Sequence, residues 1–463
     1  MKVCKFGGTS LATAAQVKKV SDIISSDPTR RIVVVSAPGK RYKEDIKVTD
    51  LLISCAEKYL ANKPYQEIFS EVLSRYEEMV RGLELSGEIL DDIRTDLTKR
   101  LYSDSLDRTQ YMELLKASGE DHCAKLVAAY LRTKGVEAHY IDPKEAGLLL
   151  TKENGKAQVL PESYLRLRVL QEKSGILIFP GFFGYTPEGT VVTFSRGGSD
   201  ITGSILAAAV QADLYENFTD VDSVFVVNPN IVNNPRGINK LTFKEMRELS
   251  YSGFEVFHDE ALIPAFRAKV PICIKNTNNP AAPGTMIVSR READSNLVAG
   301  IASDEGYCSI YLCKYLMHAE PDFGFKLRKI LEEENLPLEY NLSGNDDISL
   351  LFREEDLSRE KEARVTARMK AELAVDQLVV GRDLAVVMLV GPKMRNNLSV
   401  LSKASGVLSR QKINVELINQ GCSEVGMMFG VKKNHMKKAV HALYQEFFGV
   451  YSTNKGKVAS LSV

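Results

Sequence analysis

The chain of 463 residues lacks net charge, its 60 Lys+Arg being matched by 60 Asp+Glu. A balanced surface has no field to gather polyanions, which argues against nucleic acid or an anionic membrane as main partner. Long apolar runs are missing too. Stretches such as 176–179 with Phe182 and Phe183 fall far short of the roughly 20 residues a membrane-spanning helix needs. The first apolar segment is broken by Lys5, Gly7 and Gly8, so no signal peptide is expected. Cysteine is sparse, seven residues with no CxxC spacing, and an odd number fits reduced thiols better than a disulfide framework. Neither G-x-x-x-x-G-K-[ST] nor H-R-D occurs, which disfavours P-loop and protein-kinase architectures. What is left is the expectation of a soluble, cytoplasmic enzyme.

The length calls for two or three domains. Up to about Ala302, short apolar strands (32–35, 138–141, 176–179, 214–218, 272–275) alternate with amphipathic helices, an α/β pattern. The stretch 45–132 reads as mainly helical. Near the start, Lys5-Phe6-Gly7-Gly8-Thr9-Ser10 joins a strand to a helix whose face is Val17, Val20 and Ile24. Paired glycines let backbone N–H groups approach an anion, a helix start adds partial positive charge, and Lys5 adds a full one. Alone, the segment is equally a tight βα turn with a surface lysine. A second such turn, Thr193-Phe194-Ser195-Arg196-Gly197-Gly198-Ser199-Asp200, leads into a helix over 201–211. There Asp200 is either a simple N-cap or an anion placed for chemistry.

After Asp304 two similar units follow. Each reads strand, helix, two strands, helix over roughly 70 residues, a compact ferredoxin-like module. The first runs through strands 308–313, 336–342 and 348–352; the second through 384–390, 415–419 and 425–431.

Three further stretches accompany the glycine turns: Ala117-Ser118-Gly119-Glu120, Asn217-Phe218-Thr219-Asp220-Val221-Asp222, and Ile274-Lys275-Asn276-Thr277-Asn278-Asn279-Pro280 leading to Pro283-Gly284-Thr285. In this order the five resemble the aspartokinase branch of the amino-acid kinase superfamily, over essentially the whole chain. The resemblance implies an α/β fold: a three-layer αβα kinase domain (1–302), then two ferredoxin-like (βαββαβ) ACT domains (303–376 and 377–449). A tail (450–463) would be left free to pair back onto the ACT sheets. Modules of this family can interleave, which leaves open pairing of 298–301 with the second. A chain ending here leaves no room for the homoserine dehydrogenase domain of bifunctional relatives.

The implied reaction moves the γ-phosphoryl of ATP, accompanied by Mg²⁺, to the β-carboxylate of L-aspartate. A carboxylate of pKa roughly 4 is already ionised at neutral pH, so no general base is needed. The resemblance makes Lys5 and Asp200 catalytic. It assigns Thr49, Glu120, Arg196 and Ser199 to aspartate, Arg196 suiting the α-carboxylate and Glu120 the ammonium. It assigns Lys5, Gly7, Gly8, Thr219, Asp220 and Phe225 to ATP. No separate metal site and no tightly bound organic cofactor are expected. An effector, lysine with or without threonine, would meet Met317, Asp322, Phe323, Gly324, Asn341, Ser343, Asp346 and Asp347. Association as a homodimer or dimer of dimers through the ACT domains is implied as well.

Some positions depart from the family pattern. Ser223, Phe225 and Asn230 stand where glycine, tyrosine and arginine are usual, and Glu255 replaces a lysine. Arg236, Lys240 or Lys269 are the candidates to replace the lost cations. Two rivals follow: another amino-acid kinase, acting on acetylglutamate or glutamate, which Arg196 and the paired modules disfavour, and a silent amino-acid sensor, motivated by Asn230 and Glu255.

Overall fold

The structure, a computed structural model, describes residues 1–463 except 104–105, 154, 196, 255, 293–296, 393, 395–396, 421–423 and 450–463. The chain divides into two compact units. The first comprises Met1–Val224, Gly237–Ser250 and Glu255–Glu292; the second comprises Phe225–Arg236, Tyr251–Phe254 and Ala293–Val463.

The first unit is built on an eight-stranded sheet. Its strands are β1 (Lys2–Phe6), β2 (Arg30–Val35), β3 (Ala138–Tyr140), β4 (Ile176–Pro180), β5 (Leu214–Thr219), β6 (Lys240–Thr242), β7 (Ile272–Asn276) and β8 (Thr285–Val288). Their spatial order is β6-β8-β7-β5-β1-β2-β4-β3. All pairings are parallel except β7 with β8. The central strands β1, β2, β4, β5 and β7 are mostly buried, as a sheet covered on both faces requires. Alternation along β1 divides its side chains. Cys4 and Phe6 enter the core formed with helices α1 (Ala14–Ser25), α2 (Val48–Leu60), α3 (Gln66–Gly82), α4 (Gly87–Leu101) and α5 (Arg108–Thr133). Lys5 points to the opposite face, where helix α6 (Gly198–Ala209) lies against β1, β2 and β5. Under the first core, Phe6 stacks on Phe218 at 4.7 Å. A buried Arg30–Glu216 pair (2.6 Å) ties β2 to β5 across β1.

The second unit holds a six-stranded sheet. Its strands are β9 (Gly300–Cys313), β10 (Tyr340–Ser343), β11 (Asp347–Arg353), β12 (Gln377–Val390), β13 (Leu417–Asn419) and β14 (Gly426–Lys432), in the order β10-β11-β9-β12-β14-β13. Helices α7 (Phe323–Glu333), α8 (Arg359–Leu373), α9 (Leu398–Arg410) and α10 (Lys433–Phe448) complete two modules.

The modules share strands. Residues 307–313 of β9 pair with β11, while residues 300–305 of the same strand pair with 385–390 of β12. The N-terminal half of β12, in turn, pairs with 309–313. Each module thereby borrows its fourth strand from the other's first. The expected boundary at residue 302 therefore falls inside one unbroken strand, and the one at 376 just before a strand that serves both modules. The register shifts at Gly306, whose φ of 84° needs no Cβ, as the strand passes between modules. The expected tail 450–463 lies outside the described residues.

Candidate active site

Lys5 is 8 % exposed. Its Nζ lies 2.5 Å from Asp200 Oδ1. The same carboxylate oxygen accepts the Asn217 Nδ2–H at 2.6 Å. Asp200 is the third residue of α6, and Gly197, with φ of 72°, stands at the N-cap with no side-chain bond. Asp200 is thus not an N-cap; its side chain turns to the sheet and holds Lys5. The first glycine turn differs from expectation. Gly8–Leu11 form a single 3₁₀ turn, and α1 begins only at Ala14 behind the Thr13 cap. The Gly7 N–H donates to Phe218 C=O at 3.2 Å, so that amide is engaged within the fold. A Cβ on Gly7 would sit 3.6 Å from Lys5 Nζ, which puts turn and lysine side by side.

Glu120 lies in the middle of α5, not at a helix start, and is 5 % exposed. Its Oε2 has no hydrogen-bond partner among the described residues. Burial pushes the carboxyl up to about 8, with the Ala37 backbone N–H opposing the shift. That amide belongs to the loop after β2, which also bears on the glycine turn. Gly39 N–H donates to Gly8 C=O at 2.8 Å. A Cβ on Gly39 would lie 2.5 Å from Gly8 C, so only glycine fits.

The loop is held from α3 by Arg75, 2 % exposed, whose guanidinium donates to Gly39 C=O (2.6 Å) and Ile46 C=O (3.0 Å) and pairs with Asp45 (3.0 Å). Val48 N–H closes the loop onto Pro38 C=O at 3.1 Å, which sets half-buried Thr49 in the first turn of α2. Ser199 is buried beside Gly181, where a Cβ would lie 2.6 Å from its Oγ. Lys5, Gly7, Ala37 and Gly181 follow or end β1, β2 and β4 at their carboxyl ends, where ligands bind in open parallel sheets. Arg196 lies outside the described residues. Close by in sequence, Thr193 gives its N–H (2.6 Å) and hydroxyl to buried Glu113 of α5, which also meets Lys152 at 3.1 Å and Lys116 at 3.2 Å.

Thr219 ends β5. Its hydroxyl lies 3.2 Å from Asp220 Oδ1, and its C=O accepts the Thr277 N–H at 2.9 Å. Asp222 accepts from Asn276 Nδ2 at 2.7 Å. Phe225 instead opens a segment of the second unit, so the expected nucleotide residues are not all gathered within the first. Arg236, Lys240 and Lys269 are exposed, and Glu255 lies outside the described residues.

In the first ACT module, two of the expected loops are joined. Asp346 Oδ1 accepts the Leu316 N–H at 2.9 Å, and its C=O accepts the Lys314 N–H at 2.8 Å. These bonds tie it to the turn holding Met317. Asp347 is reached by the Tyr311 hydroxyl at 3.4 Å. Asn341, Ser343 and Gly324 are exposed, whereas Met317 and Phe323 belong to the module core. Asp322 is paired with Lys326 at 2.7 Å.

Among the described residues one trio could chelate a metal, Asp96, Asp121 and His122. Arg100 stands between its carboxylates, 2.7 Å from Asp96 and 2.5 Å from Asp121, so their charge is already met by a guanidinium. Residue-type reasoning missed Asn217, Arg75 and Glu113 as site supports. Asn217 sat inside a recognised motif; Arg75 and Glu113 carried no local signal for these roles, since the Gly39 carbonyl is 36 residues from Arg75 and Thr193 is 80 from Glu113.

The chain belongs to the amino acid kinase family, which residues 1–276 match; residues 387–447 match the ACT domain. Within that family its relatives are aspartokinases. It is 55 % identical to aspartokinase 3 of Bacillus subtilis over 97 % of this chain and 99 % of that one. The crystal structure of Clostridium acetobutylicum aspartate kinase superposes with a TM-score of 0.83 at 34 % identity, covering 96 % of this chain and all of the other. Escherichia coli aspartokinase III, solved with aspartate and ADP, shares the fold at a TM-score of 0.79 and 24 % identity, covering 97 % and 100 %. No helix among the described residues is long and apolar enough to cross a membrane.

Proposed function

We propose that the chain is an aspartate kinase that transfers the γ-phosphoryl of MgATP to the β-carboxylate of L-aspartate, giving 4-phospho-L-aspartate. The observation that carries this is the pairing of opposites at one end of the sheet. A buried Lys5–Asp200 pair adjoins the glycine turn, and a buried, unneutralised Glu120 is linked to the same turn through Ala37. Lys5 neutralises charge on the moving phosphoryl group while Asp200 fixes its rotamer. Mg²⁺ enters with ATP as part of the substrate. Glu120 receives the ammonium of aspartate, Arg196 its α-carboxylate, and Thr49 and Ser199 supply hydroxyl donors. Thr219 and Asp220 serve the nucleotide with Gly7 and Gly8. No base is required, because the nucleophile is an ionised carboxylate.

The paired ACT modules support feedback control by an end-product amino acid, lysine alone or with threonine, on the joined Met317 and Asp346 loops. A homodimer or dimer of dimers through these modules, in the cytoplasm, completes the reading. A hydroxamate assay with aspartate, ATP and Mg²⁺ tests it: aspartyl hydroxamate is expected. Product from glutamate or acetylglutamate alone would make the chain a different amino-acid kinase. No product from any of them would make it a sensor.

A further inference from the structure

Asn217 sits on β5 directly opposite Lys5 in the parallel β1–β5 ladder. It is 1 % exposed. Its Nδ2 donates to Asp200 Oδ1, the oxygen that also receives Lys5 Nζ. The amide's orientation follows from chemistry: the reverse flip would set Oδ1 against a carboxylate oxygen, acceptor to acceptor. Two residues earlier on the same face of β5, the Tyr215 hydroxyl donates to Asp200 C=O at 3.1 Å, and Asn217 Nδ2 lies 3.4 Å from that hydroxyl. Asp200 is therefore gripped at side chain and backbone by one strand, while a neighbouring strand delivers the lysine.

Among the described residues, Asn217 Oδ1 is buried without a hydrogen-bond donor. A side chain present only to fill the sheet would not carry that burden, since leucine or valine occupies such a strand position with no polar atom to satisfy. The amide is also the right charge. A second cation would compete with Lys5 for Asp200, and a carboxylate would repel it.

The geometry points to Asn217 as a positioning residue for phosphoryl transfer, which holds the Asp200 carboxylate so that Lys5 is presented to the phosphoryl oxygens. This rests on the aspartate kinase reading. Asn217 acts through Asp200, so its loss affects turnover and not the binding of either substrate. Asn217→Ala and the near-isosteric Asn217→Leu are compared with wild type in the hydroxamate assay, and each is also combined with Asp200→Ala. Expected for the single variants is a kcat at least tenfold lower, with the KM values for aspartate and ATP within threefold. In the Asp200→Ala background, followed by single turnover at high enzyme concentration, adding either change leaves the residual rate within twofold.

A kcat within twofold of wild type in a folded variant overturns the assignment. So does an equal loss in both backgrounds, which is what a role in general packing would give, and so does failure of both variants to fold. An inactive wild type would instead fail the functional reading itself, which separates the two.

Discussion

The two ends of the proposed site are prepared differently. At the phosphate end the buried lysine has its counter-charge: Lys5 meets Asp200, and Asn217 braces the pair. At the amino-acid end Glu120 is equally buried yet pairs with no cation among the described residues, and its carboxyl is pushed up to about 8 by burial. On the proposed reading, one end is assembled before substrate arrives and the other is completed by the substrate's own ammonium. Ionising a buried carboxyl is costly until a cation lies beside it. A ligand that lacks the ammonium therefore finds an uncharged wall, which turns desolvation into selectivity for amino acids.

The comparison makes the two ends separable by mutation. Lys5→Ala should give the largest effect, lowering kcat by about 100-fold or more, because a contact strengthened in the transition state is lost, on the order of 3 kcal/mol. Steady-state kinetics with both substrates checks it, and near-normal turnover would remove Lys5 from the chemistry. Glu120→Ala should raise the aspartate KM by roughly 30-fold, about 2 kcal/mol for a charge-assisted contact, with little change in the KM for ATP. Equal shifts for both substrates would break the division into two ends.

A pH prediction sharpens it. Glu120 titrates near 8 in the folded, unliganded protein against an ordinary 4.5. The folded state then binds more protons than the unfolded one between these values. The favourable linkage is complete below 4.5 and is lost as pH rises towards 8. Thermal unfolding of the unliganded protein should show this decline, and Glu120→Gln should flatten it; parallel profiles for the two proteins would deny it. The smallest effect on turnover is expected from Asp346→Ala. The uninhibited rate should stay within a few-fold while lysine inhibition weakens, because the change unties the loops that Asp346 joins. An unshifted inhibition curve would move the effector elsewhere.

Much of this was legible in the sequence. The second glycine turn, the α/β alternation and both β-α-β-β-α modules are local patterns, and the structure bears out their elements. Lys5 and Asp200, 195 residues apart in sequence, meet in the structure. The sequence was silent where distant contacts decide. The patterns of 298–301 and 308–313 read as two short strands, and they do not show that 300–313 is one strand whose halves serve different modules, since that depends on pairing with 377–390. Arg75 reads as one more polar residue of a helix, and only the fold shows it buried against Gly39 and Ile46. The 3₁₀ turn after Gly7 escaped because two glycines followed by Thr and Ser suit a helix entry and a tighter turn equally well.

The most direct test of the contrast between the two ends is the proton count on aspartate binding. Calorimetric titration at pH 7 in buffers of different ionisation enthalpy yields it without turnover. With Glu120 titrating near 8, the account predicts release of close to one proton per aspartate bound by the wild type and none by Glu120→Gln. Binding of aspartate by the wild type with no proton released would contradict it.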